Sequence, residues 1–341
     1  PSSMYAIGRQ NKRIVENARS MVAKELNCSA KEIYFTSCGS ESDNLALKGI
    51  AYANKNKGKH IITSKIEHPA ILNSCKTLER QGYEVSYLNV DKKGFVKLEE
   101  LQASIKEDTI LISIMFANNE IGTIQPIKEI STIAKKHNII FHTDAVQAAG
   151  NVKIDVEELG IDALSLSAHK FYGPKGMGAL YVKKGIEFER IQDGGHQEKG
   201  KRSGTENIAG IVGLAEAIKL ANSNLEKNNK QILDNRNYFI KKLTDNFDKI
   251  KINGDLEKRL PGNINVTFSG KDSLEILLKL DEFGICASAG SACSTGDSLP
   301  SHVLTAIGLN AEEASGTIRF SLGKENTKDE IDYVVNKLSY I

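Results

Sequence analysis

Over its first two-thirds this sequence alternates short apolar runs with amphipathic stretches, and that alternation constrains the fold more than any other feature. The runs are "EIYFTS", "HIITSK", "EVSYLNV", "TILISIMFAN", "IIFHTDA", "ALSLSA" and "GALYVKK". Helical patterns such as "ESDNLALKGIAYANK", "PAILNSCKTLERQG" and "IKEISTIAKKHN" lie between the first five. Strands alternating with helices predict an α/β fold whose sheet is mainly parallel and covered on both faces. Only about a dozen Gly- and Pro-rich residues join the last two runs, too few for a helical crossover, so that pair reads as antiparallel. From about residue 211 the character changes to long polar helices. Then follow "GNINVTF", a helix at "SLEILLKLDEFG", the small-residue stretch "ASAGSACSTGDSLP" and a closing helix. That half predicts a second, smaller α+β domain, in keeping with a chain of 341 residues.

Charge and cysteine usage exclude several classes. The formal net charge is +2, with no long basic or acidic block, which disfavours nucleic acid and membrane surfaces as partners. No apolar run reaches the roughly 18 residues of a membrane span, and the start "PSSMYAIGRQNKRIVENARS" lacks the apolar core of a signal peptide. Five cysteines, at 28, 38, 75, 286 and 293, include no C-x-x-C pair. That pattern argues against a disulfide framework or a structural zinc and for a reducing cytoplasm.

In an open α/β sheet ligands bind outside the carboxyl ends of the strands, so the polar residues there carry the functional reading. "TSCGSESDN" ends the first run and opens a helix, with Ser40 as N-cap and Asp43 three residues on; amides, hydroxyls and helix dipole would suit a phosphate. "IEHPAI" places His68 after the second run, where a lone loop histidine is by default surface. "FANNEIG" places Asn118 and Asn119 after the fourth, a pair that by default builds a turn. "FHTDAVQ" places Asp144 and Gln147 after the fifth, where a carboxylate is costly unless a cation or a protonated ring nitrogen meets it. "SLSAHKFYGPKG" places His169 and Lys170 after the sixth, at the mouth of a buried sheet. "GHQEKGKR" imitates a phosphate-binding loop but ends in Arg202 rather than Ser or Thr, and no G-x-G-x-x-G occurs, so a nucleotide enzyme is disfavoured. A phosphate cup, an Asp for a ring nitrogen, a His for a ring face and a lysine at a strand end together fit pyridoxal phosphate. Burial would lower the lysine's pKa so that its amine can attack the cofactor's aldehyde.

These residues carry a family resemblance. The whole chain resembles the cysteine desulfurases of the iron–sulfur-cluster assembly and nitrogen-fixation type, within the class V aminotransferase group. The motifs that carry it are "FTSCGSESDNLALKG", "ITSKIEHPAIL", "ANNEIGTIQPI", "HTDAVQAAG", "SAHKFYGPKGMGALYV", "RSGTENIAGIVG", "GSACSTG", "PSHVL" and "TIRFSLG". The resemblance implies the fold type I architecture of pyridoxal-phosphate enzymes, with a seven-stranded sheet. It puts residues 12–222 in a large cofactor-binding domain and residues 1–11 with 223–341 in a small domain carrying a cysteine loop at about 288–300. It further implies that Lys170 forms the Schiff base, that Asp144 meets the pyridine nitrogen, and that Gln147 meets the phenolic oxygen. His68 matches the histidine stacked on the ring, and Asn119 the asparagine near that oxygen and the substrate. Gly39, Ser40, Ser167 and His169 match the phosphate cup. Thr205 matches a threonine that reaches the neighbouring subunit's phosphate, which implies a homodimer. Arg319 matches the arginine that grips the substrate carboxylate, a task suited to its planar fork.

Among the cysteines, Cys286 in apolar "FGICAS" reads as packed core, and Cys28 and Cys75 as structural. Cys293 sits among Gly, Ala, Ser and Thr; on its own it reads as a tolerated surface thiol or a reactive one. The resemblance makes it the persulfide-forming cysteine. The implied reaction takes L-cysteine to L-alanine and leaves the sulfur on Cys293, with Lys170 moving the Cα proton and His68 available for thiol protons. The acceptor would be a protein such as an iron–sulfur scaffold or a tRNA-thiolation enzyme, and the long loop suits a sulfur that must travel. Ser40 stands where the family more often has threonine, and Cys38 where it often has glycine. The family's "D-x-A-A-T-T" segment does not occur in this sequence, which opens near a later "N-P-S-S"-like point. The sequence also admits a selenocysteine lyase or transaminase of the same fold, or an inactive scaffold for sulfur transfer.

Overall fold

The computed structural model describes residues 4–289 and 300–341. It divides into two compact units, one of residues 1–88, 97–116 and 126–225, the other of residues 89–96, 117–125 and 226–341.

The first unit is built on a seven-stranded sheet. Its strands are β1 (Ile33–Thr36), β2 (His60–Ser64), β3 (Glu84–Leu88), β4 (Thr109–Ser113), β5 (Ile140–Asp144), β6 (Ala163–Ser167) and β7 (Gly178–Val182). The spatial order is β1-β7-β6-β5-β4-β2-β3. β7 runs antiparallel to both of its neighbours and every other pair is parallel. The carboxyl ends of β1, β2, β4, β5 and β6 therefore open on the same edge. Each of the seven apolar runs forms a strand, and the short Gly/Pro link makes the antiparallel pair read from the sequence. The helices of this unit are α1 (Ala6–Leu26), α2 (Gly39–Asn54), α3 (Pro69–Arg80), α4 (Leu98–Ala103), α5 (Ile127–Lys136), α6 (Val156–Leu159) and α7 (Ile208–Ser223). β2, β4, β6 and β7 are buried along their whole length, as a sheet covered on both faces requires. One face packs Leu45, Leu47 and Ile50 of α2 and Ile71 and Leu78 of α3 onto Ile61, Leu111, Ala163 and Leu180.

The second unit holds α8 (Leu225–Asn246), β8 (Ile250–Ile252), β9 (Asn263–Phe268), α9 (Ser273–Glu282), α10 (His302–Ala306), α11 (Ala311–Ser315), β10 (Thr317–Ser321) and α12 (Lys328–Leu338). The long polar stretch from residue 208 is thus two helices broken at Asn224. The strands form an antiparallel sheet in the order β10-β9-β8. Phe239 and Leu243 of α8, Ile276 and Leu280 of α9, and Ile331 and Val335 of α12 cover Ile264, Val266, Ile318 and Phe320. The turn after β4 is tied into this unit, since Asn263 and Asn265 both donate through Nδ2 to the Glu120 carbonyl at 3.0 and 3.2 Å.

Two sequence expectations are corrected here. Ser40 does not cap α2: the N-cap is Cys38, and Ser40 lies inside the first turn. The box-like exchange belongs to Glu41, whose carboxylate accepts the Ser37 N–H at 2.7 Å and the Ser37 hydroxyl, while Asp43 turns into the interior. Cys286 is exposed rather than core. Its neighbours Ile285 and Ala287 both pack against the core of the second unit. In extended chain the residue between two inward side chains points out.

Candidate active site

Of the predicted residues, Asp144 and Ser167 end strands, and Gly39, Ser40, His68, Gln147, His169 and Lys170 follow strand ends, at one edge of the first unit's sheet. Asp144 is the last residue of β5 and is 5% exposed. Its Oδ1 accepts the Val146 N–H at 2.9 Å, and its carbonyl accepts the Phe116 N–H at 2.8 Å. Burial raises the Asp144 carboxyl, while Val146, His68 and Lys170 favour its charged form. His68 is the N-cap of α3, half-buried, with Nδ1 accepting the Ala70 N–H at 3.1 Å. That bond fixes the neutral ring's proton on Nε2. Ser167 is buried, and its hydroxyl pairs with His169 Nδ1 at 3.0 Å. Burial, then Lys170 and Lys175, lower the His169 pKa. Lys170 lies in a 3-10 turn, Ala168–Phe171, directly after β6, and is exposed. The expectation that the sheet itself buries this lysine is not met. Gln147 is half-buried beyond the Asp144 turn.

Two further carboxylates, unexpected from the sequence, surround Asp144. Glu67 is fully buried; it accepts the Ser64 hydroxyl at 2.6 Å and the Met115 N–H at 3.0 Å to each oxygen. Burial, with a smaller push from Asp144, raises its pKa to about 8. Asp43 is 1% exposed, and its Oδ1 has no hydrogen-bond partner. That oxygen lies 4.0 Å from Nε2 of His142, a ring also held by the Ser113 and Ser165 hydroxyls at 2.9 and 3.0 Å. Burial first, and then the Asp144 charge, push Asp43 well above the ordinary carboxylate range, and burial lowers His142 to about 3. Burial thus drives Asp43 and Glu67 toward their protonated forms and His142 toward its neutral one, whereas Asp144 has His68 and Lys170 beside it to favour its charge. A helical period would have revealed Asp43: with Leu47, Ile50 and Asn54 it lies on the buried face of α2. Among the described residues no three His, Cys, Asp or Glu side chains gather as a metal site.

Asn119 and Arg319 lie in the second unit, where Arg319 Nη1 on β10 donates to the Asn119 carbonyl at 3.0 Å. Asn118 builds the turn, its Oδ1 accepting the Glu120 and Ile121 amides. Ser288 pairs with Arg319 across an isolated bridge. Thr205 is exposed on the first unit. Cys293 lies outside the described residues.

A match to the aminotransferase class-V family spans residues 1–334. The chain belongs to the class V aminotransferases. Within this family it is 53% identical over 343 residues to a cysteine desulfurase IscS of Clostridium botulinum, covering 100% of this chain and 86% of the relative. It is 54% identical over 335 residues to a cysteine desulfurase IscS of Methanosarcina thermophila, covering 98% and 83%. A solved structure described as a NifS-like protein superposes with a TM-score of 0.94 at 40% identity, covering 100% of this chain and 92% of that one. These class V relatives and the sheet order establish the fold type I architecture.

Pyridoxal phosphate is the cofactor of this family, and the residues present fit it. Asp144 is a buried carboxyl whose charged form a cation such as a protonated ring nitrogen would stabilise. At Gly39 a Cβ would stand 2.6 Å from Val146 Cγ2, so only glycine lets the start of α2 lie against the Asp144–Val146 turn. A helix N-terminus suited to phosphate and a carboxylate suited to the ring nitrogen are thereby brought side by side. Among the described residues no helix is long and apolar enough to cross a membrane.

Proposed function

We propose that this protein is a cysteine desulfurase that converts L-cysteine to L-alanine and lodges the sulfur on Cys293 as a persulfide, for transfer to an acceptor protein. The observation that supports the reading is Asp144, buried at the strand edge that also presents Lys170 and His68, both of which favour its charged form. When bound, pyridoxal phosphate supplies an aldehyde that condenses with amines and a protonated ring that takes up the electron pair released at Cα.

The chain's own residues do the rest. The expected cofactor-binding domain, residues 12–222, falls mostly within the first unit, which would carry the cofactor. Lys170 would hold the cofactor through Nζ, and the same amine would take the Cα proton. Asp144 would keep the proton on the ring nitrogen, Gln147 would donate to the phenolic oxygen, and His68 would face the ring, its Nε2 proton available to a departing group. Gly39, Ser40, Ser167 and His169 hold the phosphate. Arg319 and Asn119 orient the substrate, the guanidinium taking its carboxylate. The Cys293 thiolate attacks the substrate sulfur; an S–S bond forms as the Cβ–S bond breaks, and a proton replaces sulfur on Cβ, giving alanine. Thr205 reaches the phosphate of a second copy, so the working form is a homodimer. An iron–sulfur scaffold or a tRNA-thiolation enzyme receives the sulfur. Cys28, Cys38, Cys75 and Cys286 are free thiols, which supports a reducing cytoplasm.

The test is L-cysteine turnover by the wild-type chain and by Cys293→Ser, with alanine and persulfide as readouts. Wild type should release alanine and gain one sulfur on the peptide holding Cys293. Cys293→Ser should keep the visible absorption of bound cofactor while alanine release falls by orders of magnitude. Normal turnover by Cys293→Ser, or sulfur mapped to another cysteine, would sink the reading.

A further inference from the structure

The stretch that the sequence offered as a false phosphate loop, Gly195–Arg202, is held unusually firmly for a surface loop. Glu198 is 5% exposed and takes a two-pronged ion pair from Arg19 of α1, Nη1 to Oε2 at 2.6 Å and Nη2 to Oε1 at 2.7 Å. The same carboxylate accepts the Phe35 N–H of β1 at 2.9 Å. Glu198 and Lys199 both have left-handed backbone, φ 46° and 60°, a conformation unfavourable for side-chain-bearing residues. The buried pair holds that strain in place. Within the loop the Ser203 hydroxyl donates to the Gly195 carbonyl at 2.9 Å, and the Gly204 N–H donates to Gln197 Oε1 at 3.1 Å. The loop ends at exposed Thr205, beside a cavity of about 110 Å³ lined in part by Ser37, Glu198 and Arg202.

A second anchor lies three residues before Thr205. Arg202 forks onto Glu41, Nε to Oε1 at 2.7 Å and Nη2 to Oε2 at 3.3 Å. Glu41 belongs to the first turn of α2, one residue after Ser40, and it also clamps the Ser37 amide and hydroxyl on the other side of Gly39. Burial alone would raise the Glu41 carboxyl, but Arg202 and Ser37 together hold it below its ordinary value, so it stays charged. One carboxylate therefore braces both the turn that forms this chain's own phosphate cup and the arm that ends in Thr205.

We propose that the Glu41–Arg202 ion pair positions both phosphate sites of a dimer, Glu41 bracing the cup of its own chain and Arg202 the arm lent to the partner. This rests on the reading that Thr205 completes the neighbouring site. The pair is a positioning device and touches no reacting atom. A merely structural ion pair would act within its own chain only, and that difference is measurable.

The experiment uses mixed dimers of two differently tagged chains, one carrying Lys170→Ala so that its partner alone fixes the cofactor covalently. Cofactor retention at that one site is read from the visible absorption during dialysis against a competing carbonyl reagent. With Arg202→Gln on the Lys170→Ala chain, the damaged arm serves the competent site, and retention should weaken about tenfold or more, the scale of a lost charge-assisted bond. With Arg202→Gln on the competent chain, retention should stay within about twofold of wild type. Glu41→Gln should weaken retention in both arrangements. Arg202→Lys, which keeps the charge without the fork, should give a smaller loss with the same one-sided pattern, and it stands in if Arg202→Gln does not fold. Equal losses in both arrangements, a loss confined to the competent chain, or no loss in either would overturn the proposal. Thr205→Ala in the same two arrangements is the control. If Thr205→Ala acts only in its own chain, or the loaded protein sediments as a monomer, the reading of Thr205 fails instead, whatever Arg202 does.

Discussion

Both carboxylate oxygens of Glu67 accept the Met115 amide, at 3.0 Å each, although the two residues are 48 positions apart and Glu67 is wholly buried. The bond ties the loop after β2 to the chain leaving β4, next to the strand that ends in Asp144. Its energetic consequence follows from proton linkage. Burial holds the Glu67 pKa near 8 against an ordinary 4.5, so between those values the folded protein keeps a proton that the unfolded chain has lost. Stability conferred by that proton is whole below pH 4.5 and drains away as pH rises to about 8. His142 works oppositely: neutral in the fold down to about 3 and ordinarily charged below 6.5, it makes stability rise with pH between those values. The two slopes oppose each other below pH 6.5, and the Glu67 decline is left uncompensated above it. Cofactor-free wild type should therefore lose up to about 2 kcal/mol between pH 6.5 and 8 through Glu67, one proton being worth about 1.4 kcal/mol per pH unit. Glu67→Gln has no proton to lose, and its denaturation midpoint should be flatter over that range. Asp43 and Asp144 are present in both proteins, and because burial outweighs the Coulombic push between these groups, most of the difference belongs to Glu67. Parallel curves for the two proteins would refute the assignment.

The exposure of Cys286 gives a second, simpler test. Cys75 is buried and Cys28 half-buried, and burial raises both thiols to about 12, which leaves almost no thiolate at neutral pH. Cys286 should alkylate at least about a hundredfold faster than Cys75 in the native protein. Cys286→Ser should change stability by less than about 0.5 kcal/mol, as for a surface site. A loss of 2 kcal/mol or more would mean the side chain is packed after all.

What the sequence made legible, and what it hid, divides along the range of the interactions involved. Strands such as β4 and β6 are local objects, short apolar runs between helical patterns, and their order along the chain implies a parallel sheet. Chain order alone predicts His68, Asp144 and Lys170 at strand ends, and the fold places them there. Glu67 sits beside His68 in the same loop and was missed, because its burial depends on Ser64 and on Met115, which only the pairing of β2 with β4 brings near. β8 is three residues long, too short to show a period. Glu41 was overlooked because Ser40 and Asp43 offered the commoner capping spacing, whereas the bond forms between Ser37 and Glu41, four residues apart.

Arg319 tests the substrate side of the proposed reaction. Its Nη1 donates to the Asn119 carbonyl at 3.0 Å, which holds one arm of the guanidinium. Arg319→Lys keeps a positive charge but loses the two parallel donors a carboxylate prefers. The variant should retain cofactor as wild type does and raise KM for L-cysteine about tenfold or more, with a smaller change in kcat. Unchanged KM would remove Arg319 from substrate binding.

Gly39 offers the sharpest geometric prediction. A Cβ there would lie 2.6 Å from Val146 Cγ2, closer than real side chains approach, and 3.4 Å from Ser167 Cβ, an ordinary contact. Alanine is the better helix former by up to about 1 kcal/mol, so propensity alone would favour Gly39→Ala at the start of α2. The clash should outweigh it, because overpacking typically costs about 1–3 kcal/mol and Val146 is fixed by the turn that Asp144 Oδ1 caps at 2.9 Å. Gly39→Ala should therefore lower stability and weaken cofactor retention together, as α2 is pushed off the Asp144 turn. Val146→Ala removes the offending methyl and nothing else within 3.4 Å. The double variant should recover most of the loss, with a favourable coupling of about 1–2 kcal/mol in a double-mutant cycle. Additive single effects would show that the start of α2 and the Asp144 turn are not in contact as described, and the fit of this edge to a phosphate and a ring nitrogen side by side would fall with it.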